Sequence, residues 1–124
     1  MWHTAWSSGT PAALPHEIRI DLGARYTLDS LGYLPRQDGG ANGRIGGYEV
    51  YVRDTGADWG APVASGTFAD TAAAKTTVLA PKTGRHLLLR ALTEAGGRGP
   101  WTSAAEITLT GRAAGPPERA APDR

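Results

Sequence analysis

Between residues 15 and 110 the apolar positions come in short runs, most of them alternating with polar residues. In HEIRIDLG, Ile18, Ile20 and Leu22 fall on one side of an extended chain, with Glu17, Arg19 and Asp21 on the other. That period of two predicts a half-buried strand. YTLDSLGYLPR carries Leu28, Leu31, Tyr33 and Leu34 and predicts a second strand with a kink near Gly32. RQDGGANGRIGG is too rich in Gly, Asn and Asp for regular structure and predicts a loop. YEVYVR sets Tyr48, Val50 and Val52 against Glu49, Tyr51 and Arg53, again a half-buried strand. DTGADWGAP predicts a turn, while PVASGTFA and KTTVLA predict shorter strands. RHLLLRAL is apolar on both faces, as a central strand would be, and after the loop TEAGGRGP the stretch WTSAAEITLTG predicts the last strand.

About seven short strands with frequent turn signals and no helical period predict an all-β fold, an antiparallel β-sandwich or jelly roll. A doubly wound α/β fold would need helices between the strands, and none is legible. The 124 residues suffice for one domain with a real core, and the 17 Gly and 9 Pro agree with a turn-rich chain. The expected division is a folded domain over residues 1–111 and a disordered tail over 112–124, because GRAAGPPERAAPDR mixes Pro, Ala and charge without apolar periodicity.

A net charge of +1 with scattered arginines argues against nucleic acid as a partner. The absence of cysteine excludes disulfides, thiolate metal sites and cysteine nucleophiles. No apolar stretch is long enough for a membrane span, and no basic-then-apolar leader is legible.

Catalytic motifs are not found: no H-x-x-x-H, no G-x-S-x-G, and the glycines of GGANGRIGG lack the Lys-Ser/Thr of a phosphate loop. An enzyme is therefore not expected. Of the histidines, His86 reads as a packed or strand-edge residue and His16, beside Pro15, as exposed. Binding is better supported. A sugar needs an apolar platform for its C–H face and charged or amide groups for its hydroxyls, at roughly 1.5–3 kcal/mol per charge-assisted hydrogen bond. Trp2, His3 and Trp6 share one loop, Arg36 and Asn42 another, and Trp101 sits in a third. Asn42 has two readings, a polar ligand or a residue in a left-handed turn before Gly43. Trp59 reads as a turn residue capping the core, and Trp2 as support beneath the site.

The ordered series WHTAW, LPHEIRIDLG, YTLDSLGYLPRQDGGANGRIGGYEVYV, WGAPVASGTF and WTSAAEITLTG resembles the discoidin, or coagulation factor 5/8 type C, domain. More narrowly it resembles the bacterial family 32 carbohydrate-binding modules. The resemblance implies a galactose-binding-like jelly roll that holds galactose or galactosaminide glycans through loops at one end, attached to a glycoside hydrolase or other secreted enzyme. An extracellular location follows from it. It also assigns roles: His3 and Arg36 hydrogen-bond the sugar hydroxyls, Trp6 stacks on the ring, Asn42 adds a polar contact and Trp101 a further aromatic. Calcium is the cofactor it brings, with Glu106 matching a ligand in the final strand, although for Glu106 by itself a buried structural carboxylate is the commoner role. The strand and acidic loop that in the family precede the first tryptophan, and carry most of the calcium ligands, do not precede Trp2 here. The competing expectation is a discoidin-like adhesion module for a protein or a lipid headgroup. That would call for apolar spikes at the loop tips, where this chain offers Gly, Asn, Asp and Arg.

Overall fold

The computed structural model describes residues 2–3, by backbone alone, and residues 14–114. Its strands are β1 (Trp2–His3), β2 (His16–Leu34), β3 (Gly47–Arg53), β4 (Ala64–Thr67), β5 (Lys75–Ala91), β6 (Ser103–Ala104) and β7 (Glu106–Ala113). Every pairing is antiparallel. One sheet has the order β4-β3-β5-β2-β7, and β1 pairs with β6 in a second. Among the described residues there is no helix, and the all-β expectation holds.

The two long strands differ from the sequence reading. HEIRIDLG and YTLDSLGYL are halves of one 19-residue strand, and KTTVLA and RHLLLRA are halves of a 17-residue strand. β2 and β5 pair along almost their whole length, from His16 opposite Ala91 to Tyr33 opposite Lys75. Bulges absorb the bend: the register shifts between Asp21 and Tyr26 and again between Leu28 and Ser30. Gly32 stays in register between Thr76 and Thr108, so the expected kink falls earlier in the strand.

Each half of this ribbon has its own outer neighbour. β3 pairs with residues 86–91 of β5, and β7 with residues 26–34 of β2. The halves form two layers over one core, which contains Leu31 and Tyr33 from β2, Val50 and Val52 from β3, and Leu79, Leu87 and Leu89 from β5. Full burial of such a side chain contributes about 1.5–3 kcal/mol. Tyr33 and Tyr48 both stack on Phe68, at centroid distances of 5.4 and 4.1 Å. β3 keeps the strict alternation of its sequence, and Leu87, Leu88 and Leu89 are all buried in the central strand as expected.

Three local expectations change. His16 is buried, not exposed: it pairs with Ala91, and its Nδ1 lies 2.7 Å from the Thr102 hydroxyl. WTSAAEITLTG makes two strands, β6 and β7, because Ala105 leaves the β1 pairing and donates its N–H to Leu34 O. β7 continues through Arg112 and Ala113, into the segment read as tail, and residues 115–124 lie outside the described residues. Trp59 is half-buried at its turn, with the Arg53 guanidinium 4.2 Å from its ring centroid.

Candidate functional site

The two ends of β2 lie toward the same pole, since His16 reaches Thr102 and Tyr33 reaches the adjacent Ser103, and the ends of β5 paired with them, Ala91 and Lys75, lie there too. Three segments meet there: the 35–46 loop between β2 and β3, the 92–102 loop between β5 and β6, and β1. Ser103 joins them. Its backbone pairs with that of His3, its N–H donates to Gly43 O at 2.8 Å, and its hydroxyl donates to Asn42 O at 2.8 Å. Tyr33 ties the same place to the core, donating to Ser103 O at 2.7 Å and accepting from Ile45 N–H at 3.0 Å.

Glycine permits this close packing. Gly43 has φ +87°, and a Cβ there would lie 2.7 Å from Ser103 Oγ and 2.8 Å from Ser103 N. No non-glycine residue among those described has positive φ, so Asn42 does not take the left-handed conformation; Gly43 does. The Asn42 side chain is exposed and its carbonyl is the group that holds the loop.

Arg36 reaches back across this loop. Nε and Nη2 each donate to one oxygen of Asp38 at 2.8 Å, and Nη1 lies 3.5 Å from Asn42 O. The guanidinium holds the Asp38 carboxyl well below the usual carboxylate range, aided by the Gly40 N–H at 3.1 Å, and Asp38 in turn raises the Arg36 pKa. Asp38 was not singled out from sequence. Its signal is Asp-Gly-Gly directly after Arg-Gln, a short acidic residue in a turn that folds back on the preceding arginine.

Glu94 was also missed. Only 1% of its side chain is exposed, and it accepts hydrogen bonds from the N–H groups of Gly43, Gly96 and Arg98 and from Arg98 Nη1, at 2.7–3.1 Å. Burial pushes its pKa up, but these donors together outweigh burial and the net shift is downward. Arg98 also binds Asp70 at 2.6 Å and Asp70 binds Arg44 at 3.2 Å, so the network braces residues 41–44 from beneath. Glu94-Ala-Gly-Gly is its trace in the sequence: glycines that let the following N–H groups curl onto the carboxylate.

Arg36, Asn42 and the His3 backbone are thus brought together through Ser103. Trp6, and the side chains of Trp2 and His3, lie outside the described residues. Trp101 is half-buried, its ring over Gly99, where a Cβ would lie 2.9 Å from Cζ3. Glu106 is exposed at the start of β7, not the buried carboxylate that its position by itself pointed to, because β7 is an edge strand. Among the described residues no three His, Cys, Asp or Glu side chains gather, and Glu106 is one exposed carboxylate at the start of β7.

The F5/8 type C domain family matches residues 1–107. A galactose oxidase of Gibberella zeae is 41% identical over 108 residues, which is 87% of this chain and 16% of that protein; the chain therefore spans about a sixth of that relative's length. The solved structures include CpGH89CBM32-5, from Clostridium perfringens, in complex with GalNAc-beta-1,3-galactose. It has a TM-score of 0.76 and 32% identity over 87% of this chain and 73% of that one. The family 32 carbohydrate-binding module of NanJ from the same organism, in complex with galactose, has a TM-score of 0.73 and 29% identity over 87% of this chain and 74% of that one. With two layers of antiparallel strands, loops gathered at one pole, and a match that takes in nearly every strand, the chain belongs to the F5/8 type C domain family.

Proposed function

We propose that this chain is a non-catalytic carbohydrate-binding module that recognises galactose-type sugars through the loops around β6. The observation that carries the reading is the junction at Ser103, which binds the Asn42 and Gly43 carbonyls while pairing with the His3 backbone. Two segments that the sequence reading singled out for sugar contact, far apart in the chain, are held side by side by it. The solved neighbours in complex with galactose and with GalNAc-beta-1,3-galactose support the ligand class.

In this reading Arg36 and His3 grip hydroxyls, one of them the axial hydroxyl of galactose, while Trp6 carries the opposite face of the ring. Asn42 adds a polar contact and Trp101 flanks the site. The module rides on a longer secreted enzyme, in keeping with the small share of the Gibberella relative that it matches. At roughly 0.3–0.5 kcal/mol per heavy atom a monosaccharide binds weakly, with Kd on the order of 0.1–1 mM. Titration calorimetry with galactose, N-acetylgalactosamine and lactose tests the proposal. Heat with saturation is expected for at least one of them; none with any, at concentrations well above a millimolar, overturns it.

A further inference from the structure

Arg36 is the cation on which the sugar reading relies, and one edge of its guanidinium is already engaged. Nε and Nη2 take both oxygens of Asp38 in a two-pronged pair at 2.8 Å, the geometry that a ligand carboxylate would itself seek. The loop closes tightly over this pair: a Cβ at Gly40 would lie 2.8 Å from Arg36 Cζ, and the Gly40 N–H fixes Asp38 Oδ1. Nη1 makes only a long contact, 3.5 Å to Asn42 O, and the second of its two N–H groups remains for a ligand. Nearby arginines are charge-matched as well, Arg44 by Asp70 and Arg98 by Asp70 and Glu94. Lys75 directs its ammonium onto the carbonyls of Thr71 and Ala73.

The pair therefore presents a donor at Nη1 and, on an Asp38 carboxylate whose side chain is 49% exposed, acceptors beside it. Two adjacent hydroxyls satisfy both, one accepting from Nη1 and the other donating to Asp38. A sugar carboxylate can accept from Nη1 but has no proton for Asp38, finds the two-pronged edge of Arg36 taken, and meets the like charge of Asp38.

Resting on the galactose reading above, we infer that Asp38 is a specificity-determining residue, a charge filter that admits neutral hexoses at the Arg36 site and turns away uronates. The test is calorimetry at pH 7 with galactose, galacturonate and the methyl ester of galacturonic acid, on the wild type, Asp38→Asn and Asp38→Glu. The ester keeps the bulk at C6 and removes the charge.

In the wild type, galactose and the ester are expected to bind within about threefold of each other and galacturonate at least about tenfold more weakly. Asp38→Asn should narrow that gap to about threefold or less, and Asp38→Glu should retain it. Equal binding of galactose and galacturonate by the wild type overturns the inference, as does an unchanged gap in Asp38→Asn. An ester as weak as the acid overturns it too, since bulk would then be the cause. Loss of all three ligands from a folded Asp38→Asn also overturns it, because Asp38 would then support Arg36 and not filter charge. A wild type that binds no galactose removes the galactose reading itself, and this inference with it, a result distinct from the others.

Discussion

Glu94 and Arg36 place their charge differently, and the two positions respond differently to substitution. Glu94 is enclosed and receives four hydrogen bonds, three of them from backbone N–H groups. Removing it strands those donors and one side of Arg98, so Glu94→Ala is expected to cost about 3 kcal/mol and Glu94→Gln about 1–2 kcal/mol in denaturant unfolding. The folded pKa of Glu94 lies below its ordinary value of 4.5, so its stabilisation is fully present above that value and is lost as pH falls through the folded one. The stability gap between wild type and Glu94→Gln should therefore be widest at neutral pH and close in acid; a gap constant down to pH of about 3 contradicts the assignment. Arg36 is held by an exposed partner, and such pairs contribute little to folding. Arg36→Ala is expected to abolish measurable galactose binding while leaving the unfolding midpoint nearly unchanged; normal binding by that variant moves the site elsewhere. That Arg36 and Asn42 share a loop was legible in the sequence, because a stretch so rich in Gly, Asn and Asp does not hold regular structure. Glu94 and His16 were not, because their roles depend on partners such as Gly43 and Thr102 that only tertiary packing supplies.

The elements were read well where one face is wet and one is buried. β3 shows its period of two directly, and the triple Leu87-Leu88-Leu89 marked a strand covered on both faces. What failed was continuity. Gly23-Ala24-Arg25 and Pro81-Lys82 look like breaks, yet the chain passes through both within long strands, because bulges let β2 and β5 bend together without losing their pairing. The short β1–β6 pairing was legible in neither partner, since two-residue strands carry no period. That pairing depends on Gly43. A methyl group there meets the Ser103 nitrogen and hydroxyl at under 3 Å, on a backbone that disfavours any side chain. Gly43→Ala should cost about 2 kcal/mol or more. It should also weaken galactose binding at least about tenfold, by displacing β6 and with it the His3 backbone. If the variant is destabilised but binds as tightly as wild type, the Ser103 junction does not position the sugar site.

At the scale of the molecule the proposed site draws on the loops at one pole, while the β2–β5 ribbon that carries them runs the full length of the core. A ligand bridging β1, the 35–46 loop and the 92–102 loop would fasten segments that join different strands, so its binding energy should register as stability of the whole domain. Galactose at about one hundred times its Kd should add about 2.7 kcal/mol to unfolding. For a domain of this length that is a rise in Tm of roughly 8–14 °C. Glucose, whose C4 hydroxyl is equatorial, reaches the same concentration without offering the axial group, and sets the baseline for non-specific effects of sugar on water. The expected result of a thermal scan is a large shift with galactose, the small baseline shift with glucose, and only the baseline with either sugar in Arg36→Ala. Equal shifts from galactose and glucose in the wild type would mean that no axial hydroxyl is being gripped. A galactose-specific shift that survived in Arg36→Ala would mean that it is gripped by another part of the pole.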